Sequence, residues 1–490
     1  MYLLVLLAFA FVLWLPDDLP IRTVVHEPGS ILLLIAVQQA GLVVLGLAAG
    51  ALTIRKLNTS PGDPQQAQHV FVRTGLILRG LLLASFVALC LFTEWVALVH
   101  GAWWMGRVFG VADIVVLLPF LVGAVVLLVG LYPGDRAVRQ VGLANRLRSG
   151  GPVRSLWSLG GYLVFHLRNQ LLIVALPMAA ILILYDAIQH YRVPVVRSTG
   201  MIWLPEVLLG GAAGLVFVLA PPVVRRIWST VRLPDGPLRR ELEAISQRGR
   251  LRYREILIWQ SEGLLVNAAV MGLLAPLRYV VLSDGLLETM EDEEIKAVFG
   301  HEMGHVKLRH MEFFLLFAIL SMFLVGGVIE LVRHVVGPEG WVLDTLGFVL
   351  IVLAWGVGFG WISRRFERQA DVFGARCLSP ELSGCESGCV VHGGGEAGSG
   401  GVAQAGICSS GARVFTRALY RVAQLNGIPT KEPSWRHSSV QSRVDFLLSL
   451  SADPSRAERF DRVITVVKGV LVVGVLGGLG GSAAYYWPLW

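Results

Sequence analysis

The sequence predicts a multi-pass α-helical membrane protein of about nine spans, carrying a polar domain assembled from two separated segments. Three observations predict it. Hydrophobic residues make up 54% of the 490 and charged residues only 16%, whereas soluble domains carry about 25% charged residues. The mean hydropathy is +0.64. The apolar residues also gather into runs near the ~20 residues that cross a bilayer. This composition excludes a soluble enzyme and a largely disordered chain. A net charge of +7 is compatible with nucleic-acid binding when the cations cluster on one face. Here the basic residues fall in loops between apolar runs, without a basic stripe or nucleic-acid motif, so no nucleic-acid partner is expected.

The apolar runs lie at about 1–15, 31–54, 77–98, 113–132, 169–187, 201–221, 313–332, 341–362 and 463–488. The first lacks a basic flank and a small-residue cleavage site, so it reads as an uncleaved anchor. The organisation expected is therefore an N-terminal bundle over 1–221 with about six spans, a first polar segment over 222–312 and a membrane hairpin over 313–362. A second polar segment over 363–462 and a last span over 463–490 complete it. Within the bundle, Cys90 reads as a small packed hydrophobe and Glu206 as an interfacial turn residue beside Pro205.

The loops add an orientation. Arg55, Lys56 and Arg73 fall between the second and third runs, Arg136, Arg139, Arg146, Arg148, Arg154 and Arg168 between the fourth and fifth, and Arg225, Arg226 and Arg232 after the sixth. The intervening loops hold fewer cations. The positive-inside rule then puts the basic loops, the N-terminus and both polar segments on the cytoplasmic side. Two polar segments on one face can form one domain.

In the first polar segment, Arg239–Arg254 reads as a helix. The runs Ile256–Trp259, Leu264–Val270 and Tyr279–Leu282, separated by glycine and proline, read as a small antiparallel sheet. A helix is expected after Thr289, capped by its hydroxyl, with Glu291–Glu294 in the first turn where the helix dipole favours negative charge. In the second segment, 383–411 is rich in Gly and Ser and reads as a flexible insert, and Trp435–Leu450 returns to helical character. Cys385, Cys389, His392 and Cys408 give the insert a second reading as a metal or redox site, and the glycine content favours the free loop.

The helix after Thr289 carries His301-Glu302-Met303-Gly304-His305. Histidines four apart share a helix face, so both imidazoles can reach one Zn²⁺, with Glu302 placed to act on water as general base. A third ligand is needed. A metzincin-type histidine is absent, since Met311 and Leu308 occupy the diagnostic positions. His310 has the wrong spacing and reads as a solvated interfacial residue. The other source is a carboxylate from Ser363-Arg364-Arg365-Phe366-Glu367-Arg368-Gln369-Ala370-Asp371. On a helix, Glu367 and Asp371 share a face. Glu367 can ligate and Asp371 can orient a ligand histidine, or both can simply pair with Arg364 and Arg368.

At these residues the chain resembles the M48 membrane metallopeptidases, which include HtpX-like proteases and CAAX prenyl proteases. Gly285-Leu286-Leu287-Glu288, the acidic helix start, the His-Glu-Met-Gly-His motif and the Glu367–Asp371 segment occur in that family's order, over roughly 235–450. The resemblance implies a gluzincin-like α+β domain binding one Zn²⁺ per chain through His301, His305 and Glu367, with Glu302 as catalytic acid/base. Val266-Asn267-Ala268-Ala269 is similar to the family's active-site edge strand, so Asn267 and Ala268 are candidate substrate-binding residues. His437-Ser438-Ser439 followed by Arg443 resembles the family's His-Pro…Arg element, with serine in place of the proline. It implies that His437 stabilises an oxyanion and that Arg443 binds a substrate carboxylate or anchors the site. The activity so implied is a membrane zinc endopeptidase acting on membrane or membrane-proximal polypeptides, in quality control at a bacterial inner membrane with a cytoplasmic active site. Dedicated CAAX-type maturation and a catalytically silent scaffold or sensor are the alternatives.

Overall fold

The computed structural model describes the chain except residues 1, 16–22, 61–63, 103–107, 149–155, 264, 338–339, 379–406, 433 and 487–490. Cys385, Cys389, His392 and most of the 383–411 insert therefore lie outside the described residues. The insert's last part is ordered: Ile407 and Cys408 are buried, and a helix begins at Ser409.

The chain divides into two compact units, Met1–Trp228 and Ser229–Trp490. Eight described helices are long and apolar enough to cross a membrane, five in the first unit and three in the second. They match eight of the nine expected runs, and the ninth, Leu3–Trp14, is shorter.

In the first unit the helices Pro28–Thr59 and Leu118–Arg148 meet at glycines spaced four apart on both. A Cβ on Gly46 would lie 2.9 Å from the Gly130 Cα, and one on Gly134 would lie 2.8 Å from the Gly50 Cα. Backbones that approach this closely exchange dispersion contacts that lipid cannot supply. Cys90 is buried among apolar neighbours. Glu206 opens the helix Leu204–Ile227 and accepts a hydrogen bond from Arg192 at 2.5 Å.

The second unit holds a four-stranded sheet of β1 (Thr230–Arg232), β2 (Glu255–Trp259), β3 (Ala268–Met271) and β4 (Tyr279–Ser283) in the order β1-β2-β4-β3. The expected antiparallel sheet is mixed instead. β4 inserts between β2 and β3, parallel to β2 and antiparallel to β3. Central β4 is buried along its length, and β3 forms one edge.

The helix after β1 covers Pro237–Arg248 and stops short of Arg254, because Arg250 has φ 51°. The next helices are Asp284–Thr289 and the His–Glu helix Asp292–Lys307. Thr289 does not cap the latter. Its hydroxyl donates to the Gly285 carbonyl, and Glu291 is the cap, in a reciprocal box with Glu294. The membrane helix His310–Val336 follows after two residues. The rod Gly340–Leu378 then begins apolar, passes through a π-helical stretch at Ala354–Phe359, and ends as the amphipathic Glu367 helix Gly360–Leu378. Helices Ser409–Leu425, Val440–Ala452 and Pro454–Tyr486 complete the unit. The segment 434–439 is a loop, and Ser439 caps the helix that begins at Val440.

Candidate active site

The His–Glu helix and the Glu367 helix pack through small residues. A Cβ on Gly304 would lie 3.0 Å from the Ala370 Cα, one on Gly300 3.2 Å from the Gly374 Cα, and one on Gly374 3.0 Å from the His301 backbone nitrogen. These contacts set the two helices close enough for His301, His305 and Glu367 to share a centre. The Nε2 atoms of His301 and His305 are 3.2 Å apart, and each lies 3.6 Å from one Glu367 oxygen. The three donors form the one such group among the described residues.

A tetrahedral ion about 2.0–2.1 Å from each donor needs donors about 3.3–3.5 Å apart, so the group fits zinc. The donor chemistry agrees. The Asp371 carboxylate lies 2.9 Å from His301 Nδ1 and is fully buried, which holds the ring proton on Nδ1 and leaves Nε2 with a bare lone pair. That lone pair faces a second imidazole nitrogen and a carboxylate, an all-acceptor cluster that a cation satisfies. The histidine side chains retain 12% and 18% exposure, enough for a ligand to enter.

Electrostatics follow the packing. Burial drives the His305 ring down to about 3, helped by repulsion from His301, so it is the neutral form a metal requires. Burial alone would lower His301, but Asp371 and then Glu367 raise it overall. Burial pushes the Glu302 carboxyl up to about 7, with Glu367 adding to the rise. Its Oε2 accepts a hydrogen bond from the Val270 backbone at 3.1 Å, so the edge strand fixes its direction.

Arg443 forks onto Asp371, with Nε at 2.8 Å and Nη2 at 2.5 Å, and only 11% of its side chain is exposed. Burial would lower it, but Asp371 holds it above the usual guanidinium range. The same guanidinium also lies 3.7 Å from Glu367 Oε2, so it is held between the two buried carboxylates. His437 Nδ1 lies 2.8 Å from Glu367 Oε2 while the side chain is 45% exposed. Its loop is fixed by Trp435, whose indole donates to the Gly356 carbonyl in the π-helical stretch and whose carbonyl accepts from Arg364.

Strand β3 borders this site. The Asn267 backbone pairs with Ser283, so alternation turns the Ala268 N–H and C=O toward the free edge. The Asn267 side chain is exposed. One position back, the Asn426 amide accepts from the Val266 N–H and donates to the Val266 C=O, as a paired strand residue would.

Four features escaped sequence reasoning. The small residues Gly300, Gly304, Ala370 and Gly374 were readable as two four-residue spacings. Asn426 and Gln369 carried no local signal. His310, expected to be solvated, is fully buried, because the left-handed Arg309 (φ 57°) turns the chain back under His305.

Fold and site together define a membrane protein with a metallopeptidase-type centre. Residues 233–390 match the family model described as peptidase family M48. It is 31% identical over 159 residues to a CAAX prenyl protease 1 homolog of Arabidopsis thaliana, covering 29% of this chain and 37% of that protein. It is also 31% identical over 147 residues to a protease HtpX of Acinetobacter baumannii (strain AYE), covering 27% of this chain and 48% of that protein. The chain thus matches under half the length of these curated relatives. A crystal structure of S. mikatae Ste24p aligns at a TM-score of 0.49 with 15% identity, over 85% of this chain and 98% of that one.

Proposed function

We propose that this protein is an integral membrane zinc endopeptidase that hydrolyses peptide bonds of membrane or membrane-proximal polypeptides. The observation that carries it is the 3.2, 3.6 and 3.6 Å triangle of His301, His305 and Glu367 beside an edge-strand-bound Glu302.

His301, His305 and Glu367 would hold one Zn²⁺, which when bound polarises a carbonyl and acidifies water. Glu302 takes a proton from the attacking water and delivers it to the leaving nitrogen, while the Val270 amide keeps its carboxylate aimed. Asp371, clamped by Arg443, orients His301. The substrate enters as a strand on the free edge of β3, where the Ala268 N–H and C=O bind its backbone and the Asn267 amide holds a carbonyl. His437, whose Nδ1 faces Glu367, would donate Nε2–H to the developing oxyanion when its ring carries both protons.

The location of the site between two membrane helices supports membrane-proximal substrates, and the general basis of recognition, backbone pairing, supports quality control rather than one dedicated substrate. The arginine distribution supports a cytoplasmic active site, and the similarity to bacterial HtpX proteases supports a bacterial inner membrane.

The test compares wild type with Glu302→Gln for metal content and for cleavage of unfolded casein. One zinc per chain in both, with cleavage abolished at least ~10³-fold in the variant, is expected. A wild type that takes up no zinc overturns the ligand set and favours a silent scaffold. Zinc with cleavage of only a single dedicated substrate overturns the quality-control role.

A further inference from the structure

We propose that His310 and Gln369 form a proton-ordering relay that locks His305 in the tautomer able to ligate the metal. The inference rests on the metal reading above and assigns positioning roles to two residues outside the ligand set.

His310 is the first residue of a membrane helix, yet it is fully buried beneath the site. Its ring stacks on Phe366 with centroids 4.4 Å apart and planes 6° from parallel. Nδ1 lies 3.0 Å from His305 Nδ1, and Nε2 lies 2.9 Å from Gln369 Oε1. Both ring nitrogens are thereby engaged, so His310 is not itself a ligand. The turn that delivers it is pinned by Lys468, whose ammonium donates to the Leu308 carbonyl at 2.7 Å and lies 5.4 Å from the centre of the Phe366 ring.

The proton positions follow from the donor inventory. His305 directs Nε2 at His301 and Glu367, so that nitrogen must carry a lone pair to bind a cation. A neutral His305 then carries its proton on Nδ1, which needs an acceptor. His310 Nδ1 is that acceptor, so the His310 proton sits on Nε2. There it finds the Gln369 amide oxygen, which only accepts. The opposite tautomer of His310 would aim two N–H groups at each other and leave two lone pairs facing each other at Gln369. With the Gln369 amide oxygen facing Nε2, as the structure places it, one arrangement of protons satisfies all three residues, and it is the ligating one. Partners of this kind are generally worth about 10–100-fold in metal affinity.

The relay also links three elements. His305 lies on the His–Glu helix, His310 on the following membrane helix, and Gln369 two residues beyond Glu367 on the opposing ligand helix. The hydrogen bonds that orient one ligand thus tie both ligand-bearing helices to a span.

The test measures zinc affinity of the full-length protein in detergent by competition with a chelator, together with kcat and KM on one peptide. His310→Phe keeps an aromatic ring to stack on Phe366, at a somewhat larger volume, but removes the acceptor. It is expected to weaken zinc binding 10–100-fold and, at saturating zinc, to lower kcat with KM unchanged. His310→Asn places an amide oxygen near the Nδ1 position and is expected to recover most of the affinity, which a purely packing role would not produce. Gln369→Met removes the terminal acceptor and is expected to cost a smaller factor, with Gln369→Glu restoring it. A folded His310→Phe that binds zinc as tightly as wild type overturns the relay alone. If His310→Phe does not fold, unchanged affinity in Gln369→Met overturns it instead. A wild type without zinc overturns the metal reading from which the relay follows.

Discussion

Removing the guanidinium of Arg443 tests how the site is supported. Arg443 binds both oxygens of a fully buried Asp371, at 2.8 and 2.5 Å. Arg443→Leu leaves that carboxylate with the His301 ring as its close partner at 2.9 Å. Breaking a buried pair on one side costs about 3–5 kcal/mol, because an uncompensated charge remains. In a unit of this size each kcal/mol moves the melting temperature about 2–4 °C, so Arg443→Leu should lower it by ~6–20 °C. Asp371→Leu should be similarly damaging and should also free the His301 ring, weakening zinc binding about 10–100-fold. The double variant removes both charges and should destabilise by less than the sum of the single effects, with a coupling of about 2–3 kcal/mol. The assay is thermal unfolding of the metal-free protein in detergent for all four species, with zinc affinity measured in parallel. Strict additivity, or a single-variant loss below ~1 kcal/mol, would refute the buried-pair reasoning and return Arg443 to a substrate-facing role.

The helix spacing gives a second expectation. Gly304→Val places carbon within 3.0 Å of the Ala370 backbone, so the helices must separate by a few tenths of an ångström and the 3.6 Å His–Glu donor spacing must widen. Zinc affinity should fall at least ~10-fold, and wild-type affinity would show that the glycine contact does not set the ligand distance. Asn426→Ala uncovers the Val266 backbone at a cost of about 1–2 kcal/mol for two hydrogen bonds. Peptides long enough to pair with the extended edge should then show a lower KM while short ones do not, and equal changes in both would sink the edge-stop interpretation. A phosphatase inserted at Gly337 should be active outside the cell and one at Lys431 inactive inside, and the reverse would overturn the charge-based orientation.

Much of the candidate site was legible because it obeys local rules. His301 and His305 share a face by helical period alone, and Glu302 adjoins them. The Glu291–Glu294 start was readable as a first turn, although the cap proved to be Glu291 because Thr289 was already spent inside the preceding helix. Glu367 was ambiguous, since a carboxylate among arginines looks the same whether it pairs or ligates. Its burial at 6% exposure against two imidazoles is a property of helix packing. Arg443 and His437 lie far along the chain from the residues they touch, so sequence supplied only a resemblance for them.

The sequence by itself determined the membrane class, with eight of the nine expected runs recovered among the described residues as helices long and apolar enough to cross a bilayer, and the pair of histidines, because bilayer thickness and helix period act on contiguous residues. Only the tertiary structure decided the mixed strand order, the approach of the two ligand helices through Gly300, Gly304 and Gly374, and the fate of His310. That residue reads as polar and interfacial from its neighbours in the chain. It is buried because a left-handed turn at Arg309 carries it beneath His305, where its neighbours in space, Phe366 and Gln369, satisfy its ring face and its proton.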